Sequence, residues 1–170
     1  DKLLLKKLYN NLINDEDFDR LELGLNQPNI FEILKISKTE IRHSNFLSWL
    51  INPKGSHGLG EIFLKKFLRE VFSSEKSTNI DQIEVNKIDY SNVEIIREWK
   101  NIDLLIILDD IVISIENKVY SKEHSNQLVR YRKIVEEEFP KKRKSFVYLT
   151  PEGIDSEQES EVYIPLSYNF

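Results

Sequence analysis

The chain has 170 residues, enough for one domain with a sizeable core, and a net charge of −5 with 40% hydrophobic and 31% charged residues. That balance is ordinary for a globular protein and excludes collagen-like, low-complexity and strongly basic chains, although a local basic track could still meet nucleic acid. There is no cysteine, hence no disulfide and no thiolate metal site. No apolar run has the length of a membrane span and the start carries no signal-peptide pattern. A cytoplasmic protein without a membrane partner is therefore expected.

No methionine occurs, position 1 included, and the sequence stops on Tyr168-Asn169-Phe170 without a finishing element. A trimmed or partial chain is expected, with C-terminal structure beyond it. Residues 1–170 are expected to form a single domain, with 1–36 as an N-terminal helical extension. Over residues 1–14, Leu4, Leu5, Leu8, Leu12 and Ile13 are spaced for an amphipathic helix with lysines outside. Asp15 to Asp19 reads as a turn and Gly24 to Asn29, with Pro28, as a connector. A short helix is expected from Ile30 to Ile36.

Ser37-Lys38-Thr39-Glu40 has the form of a capping box, which predicts a helix from about Lys38 to Ile51, ended by Asn52-Pro53. Glu40, His43 and Leu47 share a side of it. Capping accounts for Glu40, and a surface or satisfied core position accounts for His43. Gly55-Ser56-His57-Gly58-Leu59-Gly60 then opens a second helix, about Gly60 to Phe72, with Phe63, Leu64, Phe67, Leu68 and Val71 as its core stripe. The glycine loop reads as an interhelical turn. It lacks the Gly-Lys-Ser/Thr ending of a phosphate-binding loop, although helix N-termini do attract anions.

Ser73 to Asn79 reads as a loop, Ile80 to Tyr90 as an irregular strand and Val93 to Trp99 as a better one. The last feeds into Asn101 to Tyr120, NIDLLIILDDIVISIENKVY, which reads as two strands joined at Asp109-Asp110. A two-residue turn there pairs Leu108 with Ile111, Ile106 with Ile113 and Leu104 with Ile115, and sets Asp103 opposite Glu116. Lys118 shares the face of Glu116. Two carboxylates about 5 Å apart at Cβ repel each other, and a cation would relieve them, so a metal site is one reading. The other is a strand-opening aspartate beside a solvated ion pair.

Ser121 to Phe139 predicts a helix stopped by Pro140, with Leu128, Tyr131, Ile134 and Val135 buried and Gln127 beside Tyr131. Lys122, Arg130, Arg132 and Lys133 ring it, and Lys141-Lys142-Arg143-Lys144 follows. These basic residues fit either a solvated surface or contacts to nucleic-acid phosphates. Ser145 to Thr150 predicts a buried strand and Val162 to Tyr168 a last one, placed at an edge by Pro165.

Helices followed by β-β-β-α-β, with carboxylates on the second and third strands, resemble the PD-(D/E)xK, restriction-endonuclease-like nuclease superfamily. The matching residues are Asp103 and Glu116-Asn117-Lys118, with Ile102 where the motif has proline. Gln127 to Tyr131 adds a QxxxY pattern, and EIRHSNFLSWLINPKGSHGLG looks like the helical entrance of an uncharacterised bacterial and phage group. The resemblance covers roughly residues 38 to 168 and implies an α/β fold, a mixed sheet in an α-β-β-β-α-β core with extra N-terminal helices. It also implies a Mg²⁺- or Mn²⁺-dependent nuclease acting on nucleic acid, DNA first. Asp103, Glu116 and the Asn117 carbonyl would hold the metal, with Glu40, or its rival Glu98, as the extra acidic ligand. Lys118 would orient water or stabilise charge, and Gln127 and Tyr131 would line the site. Arg42, His43, His57 and Arg130 are candidates for phosphate contacts. A homodimer or a larger defence or repair assembly is compatible with this fold. So is a catalytically silent nucleic-acid-binding or assembly module.

Overall fold

A computed structural model describes residues 2–13, 15, 29–77, 81–121 and 126–169. The expected turn after Asp15 and the connector from Gly24 to Pro28 lie outside the described residues. The chain divides into two compact units, Asp1–Ser37 and Lys38–Phe170. The first holds α1 (Lys2–Ile13) and α2 (Ile30–Ile33). The Asn29 side chain caps α2 by accepting the Phe31 amide at 3.0 Å. This helix is shorter than the expected Ile30 to Ile36 because Lys35 takes φ +56, a left-handed conformation that an α-helix cannot continue through.

The second unit runs α3 (Glu40–Ile51), α4 (Ile62–Ser73), two 3₁₀ turns, β1 (Glu94–Trp99), β2 (Ile102–Leu108), β3 (Ile111–Asn117), α5 (Gln127–Glu138), β4 (Arg143–Thr150) and β5 (Tyr163–Ser167). The sheet order is β1-β2-β3-β4-β5. The first three strands form the expected antiparallel meander. The Asp109-Asp110 turn pairs Leu108 with Ile111, Ile106 with Ile113 and Leu104 with Ile115, the register read from the sequence. β3 pairs in parallel with β4, and β4 with β5. A parallel pair needs a crossover, and α5 supplies the first. The edge position expected from Pro165 is met.

Alternation sends the sheet residues to two cores. Leu104, Ile106, Ile113, Ile115, Val147 and Leu149 pack with Leu47, Ile51, Leu64, Phe67 and Leu68 of α3 and α4. Leu105, Val112, Phe146 and Tyr148 pack with Leu128, Tyr131 and Val135 of α5. Every residue of β3 is buried. Each such aliphatic side chain contributes about 1.5–3 kcal/mol relative to exposure.

Three local expectations change. The strand expected over Ile80 to Tyr90 does not form among its described residues: Gln82–Asn86 forms a 3₁₀ turn under a capping box of Asp81 and Glu84, and Tyr90–Asn92 forms another. The Ser37–Glu40 capping box does not form. Thr39 is the N-cap, without a side-chain cap bond, and Glu40 is the first helical residue, so its carboxylate is free for other work. The helix expected from Ser121 begins at Gln127, after Asn126 in the left-handed region at φ +61.

Candidate active site

The site gathers where β2 starts and β3 ends. The β2–β3 ladder has its last pair at Leu104 and Ile115. Beyond it the Asn117 main-chain amide donates to Asp103 Oδ2 at 2.8 Å, so a carboxylate takes over from the ladder. Glu116 and Lys118 lie on the α5 face by alternation. They form an ion pair of 2.9 Å whose side chains are 2% and 8% exposed. A buried pair is weak evidence of stability, because desolvation offsets its attraction.

Gln127 comes from the first turn of α5. Its Nε2 donates to Glu116 Oε1 at 2.8 Å and to the Tyr131 hydroxyl at 3.0 Å. The i, i+4 spacing of the QxxxY pattern thus becomes a chain from Tyr131 through Gln127 to Glu116. Glu116 Oε1 is doubly held, whereas Glu116 Oε2 and Gln127 Oε1 are buried with no hydrogen-bond partner among the described residues. An orphaned buried carboxylate oxygen is costly.

The electrostatics follow. Burial, with the Asp103 charge beside it, pushes the Glu116 carboxyl up to about 8 against the pull of Lys118. Burial pushes Asp103 up to about 6, opposed by the Asn117 amide and Lys118. For Lys118, burial alone would lower the pKa. The bond to Glu116 and the charges of Glu116, Glu40 and Asp103 outweigh it and hold the ammonium above its ordinary range.

Glu40 stands at the start of α3 and does not cap it. Its Oε1 accepts the amides of Val119 at 2.9 Å and Ser121 at 3.1 Å and the Ser121 hydroxyl at 2.7 Å. Burial would raise its pKa, but these bonds prevail and hold the carboxyl below its ordinary range. Glu40 therefore ties down the segment that follows Lys118. One turn along α3, Ser44 accepts from Asn117 Nδ2 at 3.0 Å. Sequence reasoning missed Ser44, Ser121 and Tyr168, whose hydroxyl donates to Asn117 Oδ1. The only available signal was Ser44 at i+4 from Glu40, on the same helix face.

Glu98 falls between the pairs Arg97–Leu104 and Trp99–Ile102, level with Asp103, but does not pair. It takes φ +55 and is exposed. For a side-chain-bearing residue this conformation stores about 1–3 kcal/mol. Its charge still reaches Asp103.

Among the phosphate-contact candidates, Arg130 is brought close: its guanidinium lies 5.2 Å from the centre of the Tyr131 ring. Arg42 is exposed on α3 and His43 is half-buried, its ring 6.3 Å from that of Tyr168. His57 lies in the loop after α3. Its Nε2 meets the Asn52 carbonyl at 2.9 Å and its Nδ1 accepts the Leu59 amide at 2.9 Å, so both nitrogens are spent on the loop. That loop follows the end of α3 away from Glu40. The glycine-rich stretch is an interhelical turn, with Gly58 and Gly60 at positive φ. The basic run after α5 is also placed elsewhere. Arg143 pairs with Ile111, at the other end of β3 from Glu116, about 17 Å away at about 3.3 Å per residue. Its guanidinium is held by Glu84 and Asp110.

Among the described residues no three His, Cys, Asp or Glu side chains are grouped so as to hold a metal ion by themselves. The donor set still fits a small hard cation. Mg²⁺ typically takes one or two carboxylates and keeps several waters, and Asp103 and Glu116 are two hard carboxylates, one with an orphaned oxygen.

A mixed sheet in α-β-β-β-α-β order is the restriction-endonuclease-like fold. The chain belongs to the PD-(D/E)XK nuclease superfamily: the family model matches residues 28–165, well over half of the 170-residue chain. No curated protein and no solved structure gives a match.

Proposed function

We propose that the protein is a nuclease that hydrolyses phosphodiester bonds, in DNA, with Mg²⁺ or Mn²⁺ bound by Asp103, Glu116 and the Asn117 main-chain carbonyl. The observation that carries this reading is the Glu116 carboxylate. It is 2% exposed, with Oε1 held by Lys118 and Gln127 and Oε2 without a partner among the described residues. A cation would satisfy that oxygen and offset the repulsion from Asp103. When bound, such a metal supplies Lewis acidity at a phosphoryl oxygen and lowers the pKa of water.

The protein's own groups do the rest. The Asn117 amide holds the Asp103 carboxylate in place. Gln127 fixes the rotamer of Glu116, and Tyr131 accepts the second proton of the Gln127 amide. Lys118, whose pKa the bond to Glu116 and the charges of Glu116, Glu40 and Asp103 hold above its ordinary range, acts as a cationic donor. It donates to the attacking water or to the phosphoryl oxygens as negative charge builds on them. Arg130 contributes a phosphate contact beside Tyr131. Glu40 acts by fixing residues 119–121, its Oε1 and Oε2 both accepting from the Ser121 hydroxyl.

The test is cleavage of DNA and of RNA in Mg²⁺ or Mn²⁺ by the wild type, Asp103→Ala and Lys118→Ala. Metal-dependent cleavage of DNA that falls at least about a hundredfold in both variants is expected. Unchanged cleavage in both would refute the site, and cleavage of RNA alone would refute the substrate.

A further inference from the structure

We propose that Tyr168, Asn117 and Ser44 form a positioning relay on the opposite face of the sheet that sets the Asp103 carboxylate for the metal. The proposal rests on the nuclease reading above. Asn117 is the middle residue of Glu116-Asn117-Lys118. Alternation turns its side chain away from both neighbours, towards α3. There it is 1% exposed, and both ends of its side-chain amide have partners. Nδ2 donates to Ser44 Oγ at 3.0 Å, Oδ1 accepts the Tyr168 hydroxyl, and the main-chain amide donates to Asp103 Oδ2 at 2.8 Å.

The other residues of β3 on that face are Ile111, Ile113 and Ile115, all in the apolar core shared with α3 and α4. An aliphatic residue at 117 would continue that stripe without needing partners. An amide there brings a desolvation cost that Ser44 and Tyr168 must offset, so what it contributes is orientation rather than burial. Orientation matters at this point, because the β2–β3 ladder has ended at Leu104 and Ile115. Beyond it the Asn117 amide meets a carboxylate instead of a main-chain carbonyl. Two bonds, one at each end of the Asn117 amide, lock the side chain, and with it the peptide that holds Asp103. The relay draws on α3, β3 and the segment just after β5. Tyr168 lies beyond the matched region, which ends at residue 165.

Tyr168→Phe removes one hydroxyl and keeps the ring. Mn²⁺ affinity measured by calorimetry on the full chain should weaken about tenfold in Tyr168→Phe and in Ser44→Ala. The double variant should be no weaker than the poorer single one, since both act through Asn117. DNA cleavage should then need about tenfold more Mn²⁺ for half-maximal rate, with the rate at saturation nearly unchanged. Urea unfolding without metal reports the purely structural share. Lower stability with unchanged Mn²⁺ affinity would overturn the relay and leave the nuclease reading intact, and additive effects would overturn the relay likewise. A wild type that binds no Mn²⁺ at millimolar concentration would overturn both. Should Ser44→Ala not fold, Tyr168→Phe alone decides, because Tyr168 is only half-buried.

Discussion

The amide of Asn117 donates to Asp103 at 2.8 Å, so the residue that follows one carboxylate orders the carboxylate opposite it. The bond survives amidation, since an asparagine oxygen at 103 can accept the same proton. Charge and hydrogen bonding at this position can therefore be separated.

Asp103→Asn is expected to stabilise the metal-free protein at neutral and alkaline pH while abolishing cleavage. A carboxylate whose folded pKa is raised, here from 3.8 to about 6, destabilises the fold once it ionises. That cost is absent below about pH 4, grows through the 4–6 window and is complete above it. Each tenfold gain in proton affinity on folding corresponds to about 1.4 kcal/mol, so the rise sets an upper limit of about 3 kcal/mol on the cost of ionising Asp103. Urea unfolding of both proteins at pH 4 and pH 8 checks it, and a variant less stable at pH 8 would contradict the burial cost.

Mn²⁺ binding should tighten steeply with pH. The proton competing for Glu116 is held up to about 8 and that for Asp103 up to about 6, and a metal ligand must lose its proton. Between pH 6 and 8 the affinity should rise roughly tenfold per unit and level off above. Calorimetry across this range measures the slope. A flat profile would mean that Glu116 is not a ligand.

Gln127→Leu and Tyr131→Phe should differ in severity. Gln127 touches the Glu116 carboxylate directly, whereas Tyr131 only accepts from Gln127. The first should lower cleavage and metal affinity about 10–100-fold, the range for supports of metal ligands, and the second only a few-fold. Equal losses would place the Tyr131 hydroxyl on the substrate.

Glu40→Gln should loosen the segment after Lys118 more than it weakens the fold. The neutral amide keeps an acceptor but weakens the bonds to Val119 and Ser121, at a cost of about 1 kcal/mol. Exchange of those two amides should accelerate about fivefold or more by hydrogen-exchange mass spectrometry. The wild type should lose this advantage as pH falls through the lowered pKa of Glu40, since a depressed carboxyl stabilises only while ionised. Unchanged exchange would return Glu40 to a purely local role.

Much of this site was legible because a two-residue turn fixes a hairpin completely. Once Asp109-Asp110 is the break, every pair out to Leu104 and Ile115 is determined, and Asp103 and Glu116 come next in line. The i, i+4 spacing of Gln127 and Tyr131 was equally local. Glu40 was legible only in part. Its spacing from Ser37 imitated a cap, while its actual partners, Val119 and Ser121, are some 80 residues away, beyond the reach of any local pattern. Ile80 to Tyr90 misled through apolar alternation, although Asp81-Gln82-Ile83-Glu84 carried the capping signature that the 3₁₀ turn uses. The parallel pairing of β3 with β4 and the partners of Asn117 depend on long-range packing, which no spacing encodes.

The tight turn at Asp109-Asp110 also bears on how the chain folds. A hairpin closes in microseconds, ahead of the long-range pairings with β4, α3 and the C-terminal segment. Asp103 and Glu116 are thus driven together, with only Lys118 beside them, before Gln127 or a cation surrounds them. The repulsion falls on the folding barrier itself, so refolding should be faster in mild acid than at pH 8, and Asp103→Asn should erase much of that difference. A chain built this way acquires its chemistry as an early kinetic obstacle and its relief only at the end of folding.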